Sequence, residues 1–586
     1  MQLFFYKWPL SLPLGALLLG IFSANSQNFY WVLIPLVCLW GFQVFKKAYP
    51  WKWNQYLFFT LFYAWGYFSH VTHERQYQHQ RHCLFQAQWI KIRITERLLV
   101  NHKYQRVQAE VLQMRSHDTL WHIHGNVDVY VLADSFMYLP GQVLTITKPQ
   151  VKPYLSAELP GDFDVEKLKF SRNYLGLVFA KSATIFREKR PKWDWYAWRF
   201  QLKNRLNRDF KIGLSESNLA LVRQLVWGDK TQIDSDLQQA FQISGTTHVL
   251  SVSGMHMALL FAMINFILDT VFVKPKHSKR KLGVLPLLWV YAFLTGMSPP
   301  VLRAVAFFIF FLIGQLVFKR TVLLVHALMA VGLIQLCLNP VQLWDIGFQL
   351  SYLAVLGLAV VYPSIKSFYE NLPKWQQWPL DALGISLSST LTTYPIILYH
   401  FHSFAPWFLV GNLLFLPLFS LLMYLLFGMV FLSGMGIPMK GLVFLLNTYL
   451  DGVSYLMKFS MKMPMPYWYA VCFDGTWLCV HGLCLVMIFV LDIPFLRKMW
   501  FLWGMLVLSH SWAYWRYQQR IHQTHHFEFH VKQVICKMQW KSKRAEVVYS
   551  GKLSDSLLQQ RLVLLRNYLP IDQVTLHYVP KSKRKF

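Results

Sequence analysis

Ser253 and His256 stand three residues apart in Ser244-Gly-Thr-Thr-His-Val-Leu-Ser-Val-Ser-Gly-Met-His-Met257, so one helical turn brings a hydroxyl nucleophile near an imidazole base. That pair alone admits hydrolysis, but no nucleophile elbow or oxyanion arrangement accompanies it. His248, Ser251 and Gly254 extend the polar segment, which runs directly into the apolar stretch Ala258–Leu268. Polar groups at bilayer depth are costly and turn toward a partner or a water-filled path. The segment is therefore either a helix contact rich in small residues or the lining of a transport path. At 100° per residue His248 and His256 lie about 80° apart, Ser253 about 60° further round, and Ser251 on the opposite flank. No single stripe holds them, which predicts a helix broken near Gly245 and Gly254 or one polar toward two neighbours. Broken helices are one way to build a translocation site.

Three further stretches carry chemistry. In Asp345-Ile-Gly-Phe-Gln-Leu-Ser-Tyr352, Asp345, Gln349 and Tyr352 share about 60° of a helix and Ser351 flanks them. They read as a buried polar seam or pore lining, with helix glue as the alternative. Thr295-Gly-Met-Ser-Pro-Pro-Val-Leu-Arg303 predicts a helix start, with Ser298 as N-cap and Pro299 and Pro300 in the first turn. Arg303 would then sit near the outer surface, either snorkelling to headgroups or contacting a phosphate. Pro395, Asn412 and Pro417 predict breaks or kinks inside apolar spans. His400-Phe-His402, His122-Ile-His124 and His522, His525, His526 and His530 lack the companion ligands of a zinc site and read as loop histidines. No metal or cofactor is expected.

The elements that must position these residues are membrane spans. The chain is 55% hydrophobic and 15% charged, against roughly 25% charged in soluble domains, which excludes an ordinary soluble enzyme. Apolar runs long enough to cross a bilayer fall at 9–25, 28–45 and about 55–70, then at about 247–273, 281–297, 300–318, 321–338, 344–362, 380–400 and 404–432. Weaker candidates follow at 441–458, 467–491 and 499–515. The basic loops 274–281 and 319–320 fall on the same side as Lys7, Lys46 and Lys47, which the positive-inside rule puts in the cytoplasm. Residues 71–245 are then external. No A-x-A cleavage site follows the first apolar segment, which reads as a span.

The fold class is a polytopic α-helical membrane protein with an extracytoplasmic OB-like β-barrel domain and a small basic α/β C-terminal tail. Its regions are 1–70, N-terminal spans; 71–160, the barrel domain; 161–245, an amphipathic interfacial helical region; 246–515, the membrane channel domain; and 516–586, the tail. The barrel expectation rests on period-2 alternation, as in Ile90, Ile92 and Ile94, which predicts some five strands. The tail carries 14 Lys+Arg against four acids, and the whole chain has net charge +30. Beyond the usual bias of cytoplasmic loops, that excess points to a polyanionic partner. Lys91 and Arg93 are candidate phosphate contacts, and Trp89, Tyr104 and Trp121 could stack bases or simply pack. The seven cysteines form no CxxC pair.

His248-Val-Leu-Ser-Val-Ser-Gly-Met-His256 resembles the signature of ComEC-type competence proteins. The resemblance extends to Thr295–Arg303, Asp345–Ser351 and the Tyr394-Pro395, Asn412 and Pro417 run, while Pro160-Gly-Asp-Phe-Asp164 resembles the close of the family's N-terminal domain. It covers about 1–500. It implies a multi-pass channel in a bacterial inner membrane that carries single-stranded DNA into the cytoplasm during natural transformation. A separate DNA receptor, a nuclease and a cytoplasmic ATP-driven helicase or translocase would be its partners, because no P-loop is present. Many family members end in a metallo-β-lactamase-like domain. The tail here is too short for one and lacks its His-x-His-x-Asp-His motif, so no intrinsic nuclease is expected and the protein reads as a non-enzyme. The alternatives are a membrane-embedded hydrolase using Ser253 and His256, or a secondary transporter of small anionic solutes.

Overall fold

The structure, a computed structural model, describes residues 10–25, 53–463 except for short stretches of which 272–282 is the longest, Trp468–Tyr469, isolated positions in 504–519, and four stretches within 525–578. The basic loops 274–281 and 319–320, the span expected at 28–45, that at 467–491 apart from Trp468–Tyr469, most of 499–515 and residues 160–162 lie outside the described residues. The chain divides into two compact units. One comprises Met1–Tyr154, Leu168–Val355 and Val410–Lys462, and the other Leu155–Lys167, Leu356–Leu409 and Met463–Phe586.

The first unit opens with α1 (Ser11–Asn25) packed on α2 (Trp53–Phe85). The chain does not leave the helix at His70. His70 is buried within α2, its Nε2 accepting from Trp344 Nε1 at 3.2 Å, and the helix continues to Phe85. Strands begin only at Trp89: β1 (Trp89–Val100), β2 (Tyr104–Ser116), β3 (Thr119–Leu132), β4 (Val143–Thr147) and β5 (Gln150–Lys152). After the short helix α3 (Val165–Ser171), two more strands, β6 (Tyr174–Ala180) and β7 (Ile185–Arg187), join the same sheet in the order β5-β6-β3-β2-β1-β4-β7. The region 161–245 is thus part strand rather than wholly helical. The sheet is an open half-barrel with β5 and β7 at its edges among the described residues, where the sequence predicts an OB-like barrel of some five strands.

The alternation works as expected. Ile90, Ile92 and Ile94 of β1, Val107, Ala109 and Val111 of β2, and Val127, Val129 and Val131 of β3 all point into one core, at 1% exposure or less. Each buried Ile or Val among them contributes about 1.5–3 kcal/mol of transfer free energy. Register shifts within β1 and β2 leave extra residues against their partners, the kind of bulge that bends a sheet.

Helices follow: α4 (Trp195–Leu206), α5 (Arg208–Gly213), α6 (Glu216–Trp227), α7 (Ser235–Ile243), α8 (Gly254–Val271), α9 (Val284–Leu294), α10 (Pro299–Leu316), α11 (Leu324–Leu338) and α12 (Ile346–Val360). Asp194 caps α4 by accepting from Ala197 N at 3.0 Å, and Ser215 caps α6 by accepting from Asn218 N at 3.3 Å. The helical core joins Trp227, Phe241, Leu288 and Phe419 across four helices. Two further helices belong to this unit: α15 (Phe408–Gly434), from Val410 onward, and α16 (Lys440–Phe459). On α16, Val443, Leu446, Leu450, Val453 and Met457 form one buried face at helical spacing, while Phe444, Leu445 and Tyr455 on the other are exposed.

In the second unit, α13 (Tyr362–Lys366) precedes α14 (Lys374–Phe401), where Asp381 accepts from Tyr362 Oη at 2.6 Å and Tyr369 Oη at 3.0 Å. Strands β8 (Ser403–Phe404) and β9 (Trp468–Tyr469) pair with each other. The tail forms a sheet of β10 (His525–Val531), β11 (Val534–Lys541), β12 (Arg544–Tyr549) and β13 (Gln573–Tyr578). The helix expected at 553–568 lies outside the described residues. By length and composition, two helical stretches among the described residues can cross a membrane, Ile346–Lys366 and Phe408–Gly434.

Candidate functional site

The polar segment after α7 is a helix break. Gly245, at φ +71°, closes α7: its N–H donates to Gln242 O and the N–H of Thr246 donates to Phe241 O, the paired bonds of a Schellman motif. A 3₁₀ turn over Thr247–Leu250 and extended Ser251 follow before α8 begins at Gly254. The break stands where Gly245 and Gly254 predict it. It does not hold its polar side chains alike. His248, Ser251 and Gly254 are exposed, Ser253 is half-buried, and His256 is fully buried.

His256 turns back on its own helix start. Its Nδ1 accepts from the backbone N–H of Ser253 at 3.3 Å and lies 3.1 Å from Ser253 Oγ. This is the reciprocal bond of a capping box, with imidazole where Glu or Gln usually stands. The single in-plane lone pair of Nδ1 is shared between a backbone donor and the hydroxyl. Nε2 is buried and has no hydrogen-bond partner among the described residues.

Helix α15 presses on this break. A Cβ built on Gly411 would lie 2.0 Å from Ser244 O, so only glycine permits that approach. Gly411 and Asn412 therefore do not interrupt α15, which runs through them and through Pro417, as α14 runs through Pro395. Helix α14 thus continues through Pro395 and α15 through Asn412 and Pro417 without a break; at Gly411 the residue serves close packing. On the other side, Gly254 meets Ala304 of α10. Pro299 does occupy the first turn of α10 with Pro300 beside it, but the buried hydroxyl of Ser298 has no hydrogen-bond partner among the described residues and does not cap the helix; its carbonyl accepts from Val301 and Leu302 instead.

Arg303, next to Ala304, is not at a surface. It is 3% exposed, and its Nη2 donates to Gly347 O at 2.9 Å. Asp345 precedes α12 rather than opening its stripe: its Oδ1 accepts from Phe348 N at 3.0 Å as a helix cap, and its Oδ2 accepts from Arg172 Nε at 2.6 Å. Arg303, Arg172 and Asp345 converge on Gly347. One carboxylate thus faces two guanidiniums, the arrangement that makes a buried charge tolerable. Gln349 Nε2 donates to Leu343 O at 2.8 Å, and Tyr352 Oη donates to Gln335 of α11 at 3.0 Å, so each member of the stripe has its own partner. Ser351 beside them is half-buried. Arg172 carries no signal in the sequence, since it lies in a turn far from Asp345 along the chain.

On the sheet, Lys91 pairs with Glu188 at 2.6 Å and Arg93 with Asp194 at 3.5 Å, so both candidate phosphate contacts are already neutralised within the sheet domain. The hydrogen bond from Lys91 is the main reason the Glu188 carboxyl is held below its usual range. His122 and His124 lie in β3, and His525, His526 and His530 in β10, on strands rather than loops. Of the aromatics expected to stack, Tyr104 belongs to a ladder that sequence reading missed. Its ring lies 5.5 Å from that of Tyr130, which stacks on Phe179 at 5.1 Å with an interplanar angle of 18°. Arg106 stands 5.4 Å over Tyr130 and Lys152 5.4 Å over Phe179. These half-exposed rings on β2, β3 and β6 are set side by side only by register, in which Tyr130 pairs with both Arg106 and Phe179.

Residues 225–495 match the family model described as competence protein, a span that holds the helix break, the Arg303 segment and the Asp345 junction. Residues 225–495 are a competence-family domain. The competence domain starts within α6, so the family is shown over fewer residues than the motifs suggest. ComE operon protein 3 of Bacillus subtilis is 30% identical over 212 residues, 35% of this chain and 25% of that protein. Recombination protein 2 of Haemophilus influenzae is 25% identical over 340 residues, 56% of this chain and 40% of that protein. Competence protein ComA of Neisseria gonorrhoeae is 28% identical over 124 residues, 19% of this chain and 17% of that protein. The chain's matches therefore span less than half the length of these relatives. No solved structure matches the chain.

Proposed function

We propose that this protein is a multi-pass channel of a bacterial cytoplasmic membrane that takes up DNA during competence and passes one strand into the cytoplasm. The observation that carries this reading is the helix break at the start of the competence domain, which leaves His248, Ser251 and Gly254 exposed beside backbone groups released from helical pairing. The relatives' names, two of them referring to competence or recombination, agree with it. The half-barrel, taken as extracytoplasmic and OB-like, would handle the strand first through its ladder of rings and cations. A separate receptor, nuclease and ATP-driven translocase would act with it.

Uptake of fluorescent DNA in cells lacking the protein tests the reading. DNA should accumulate outside the cytoplasmic membrane, and normal entry into the cytoplasm would sink the idea. A second reading, a membrane-embedded hydrolase, is favoured by the 3.1 Å contact between Ser253 and His256. Ser253→Ala separates the two: DNA entry persists for a channel and stops for an enzyme.

A further inference from the structure

A cavity of about 570 Å³ opens between the end of β1 and helices α4, α5 and α6, within the range of small-molecule sites, about 300–1,000 Å³. Five cations line it. Lys203 is matched to Asp229 at 2.6 Å and Arg199 donates to Thr95 O at 3.2 Å. The other three, Arg97, Lys211 and Arg223, form no ion pair among the described residues, and Glu96 is the one remaining carboxylate in the wall. Burial lowers the basicity of Arg97 and Lys211, and the Arg223 guanidinium lowers both further. Arg97 donates to Met137 Sδ at 3.1 Å and Lys211 to Asn204 Oδ1 at 3.2 Å, neutral acceptors that leave the positive charge of this wall for an entering anion to offset. Tyr196 and Phe200 of α4 add aromatic faces to the same wall.

We propose that this cavity binds one nucleotide unit of a single strand, its phosphate among Arg97, Lys211 and Arg223 and its base against Tyr196 and Phe200. A guanidinium pair matches phosphate oxygens, and ring stacking accepts any base. A lipid headgroup is disfavoured by geometry. The exposed tryptophans of α4, Trp195 and Trp198, suit a bilayer interface, but at 100° per residue the cavity-lining residues centre about 140° away from them. The proposal rests on the DNA reading above and adds a site outside the polar break and the ring ladder.

The test uses the full chain in phosphatidylcholine nanodiscs and a fluorescein-labelled dT20 strand, read by anisotropy. Arg97→Gln with Arg223→Gln should weaken binding about tenfold and reduce the slope of log affinity against log salt by about 0.7, the one phosphate that the site holds. A 5-bromodeoxyuridine strand should cross-link to Tyr196 or Phe200 in the unmutated protein, which decides the matter if the double variant fails to fold. Unchanged affinity and slope, or cross-links elsewhere alone, would overturn the site. So would variants that bind dT20 normally but no longer retain phosphatidylglycerol, which assigns a lipid headgroup. If the unmutated protein binds no strand at all, the transport reading falls as well, and the two failures are distinguishable.

Discussion

The helix break at Ser244–Met257 and the junction at Asp345–Tyr352 look alike as sequence, polar residues interrupting apolar stretches, yet they settle their polar groups in opposite ways. The break spends its polarity on backbone: a Schellman turn, a 3₁₀ turn and an imidazole-capped helix start, with His248 and Ser251 left facing outward. The junction turns its charges inward, where Asp345 faces Arg172 and Arg303 and each stripe residue finds a partner on another segment. Helix α10 lies between them, Ala304 against Gly254 and Arg303 against Gly347. A polar residue in an apolar helix is therefore no guide to a path until its partners are known. The break is the candidate for passage; the junction is a clamp.

If that contrast holds, the largest effect belongs to the junction. Asp345→Asn leaves the buried Arg303 beside Arg172 without a counter-charge and should cost about 3 kcal/mol, read as loss of thermal stability in detergent. A loss under 1 kcal/mol would mean the clamp is not electrostatic. Next is Gly411→Ala, whose methyl would meet Ser244 O at 2.0 Å. Overpacking of this kind costs about 2 kcal/mol, and a melting curve unmoved by the methyl would show that α15 does not pin the break.

His256→Leu removes an acceptor from the start of α8 and should cost about 1 kcal/mol, whereas His256→Gln restores an acceptor at the same depth and should recover most of it. An enzyme would lose activity with both, by a factor on the order of 10⁶ for a catalytic base, so DNA entry retained in the glutamine variant sharpens the assignment of the break as structure and path. The smallest effect is expected on the sheet. Lys91→Met breaks a half-exposed ion pair and should cost a few tenths of a kcal/mol. Because Glu188 titrates below its ordinary 4.5, the pair's contribution is complete above that pH and fades as the pH falls through the lowered value. A difference between Lys91→Met and the parent that grows on acidification would contradict this sign.

The sequence carried the local elements because their causes are local. Alternating Ile and Val placed β1, β2 and β3 in a common core, Gly245 and Gly254 marked the break, and Pro299 marked the start of α10. The motifs of the competence domain were readable for the same reason, as runs of contiguous residues. What the sequence could not decide was every choice of partner across the chain. Arg303 looked like a surface cation because nothing near it in sequence is acidic; only the fold brings Asp345 and Arg172 to it. Lys91 and Arg93 looked free because Glu188 and Asp194 lie far along the chain. Tyr104, Tyr130 and Phe179 became a ladder through strand register, and Arg97, Lys211 and Arg223 became one cavity wall through packing of helices on the sheet. Backbone conformation follows from side chains a few bonds away, whereas charge pairing and stacking depend on distances that only tertiary structure sets.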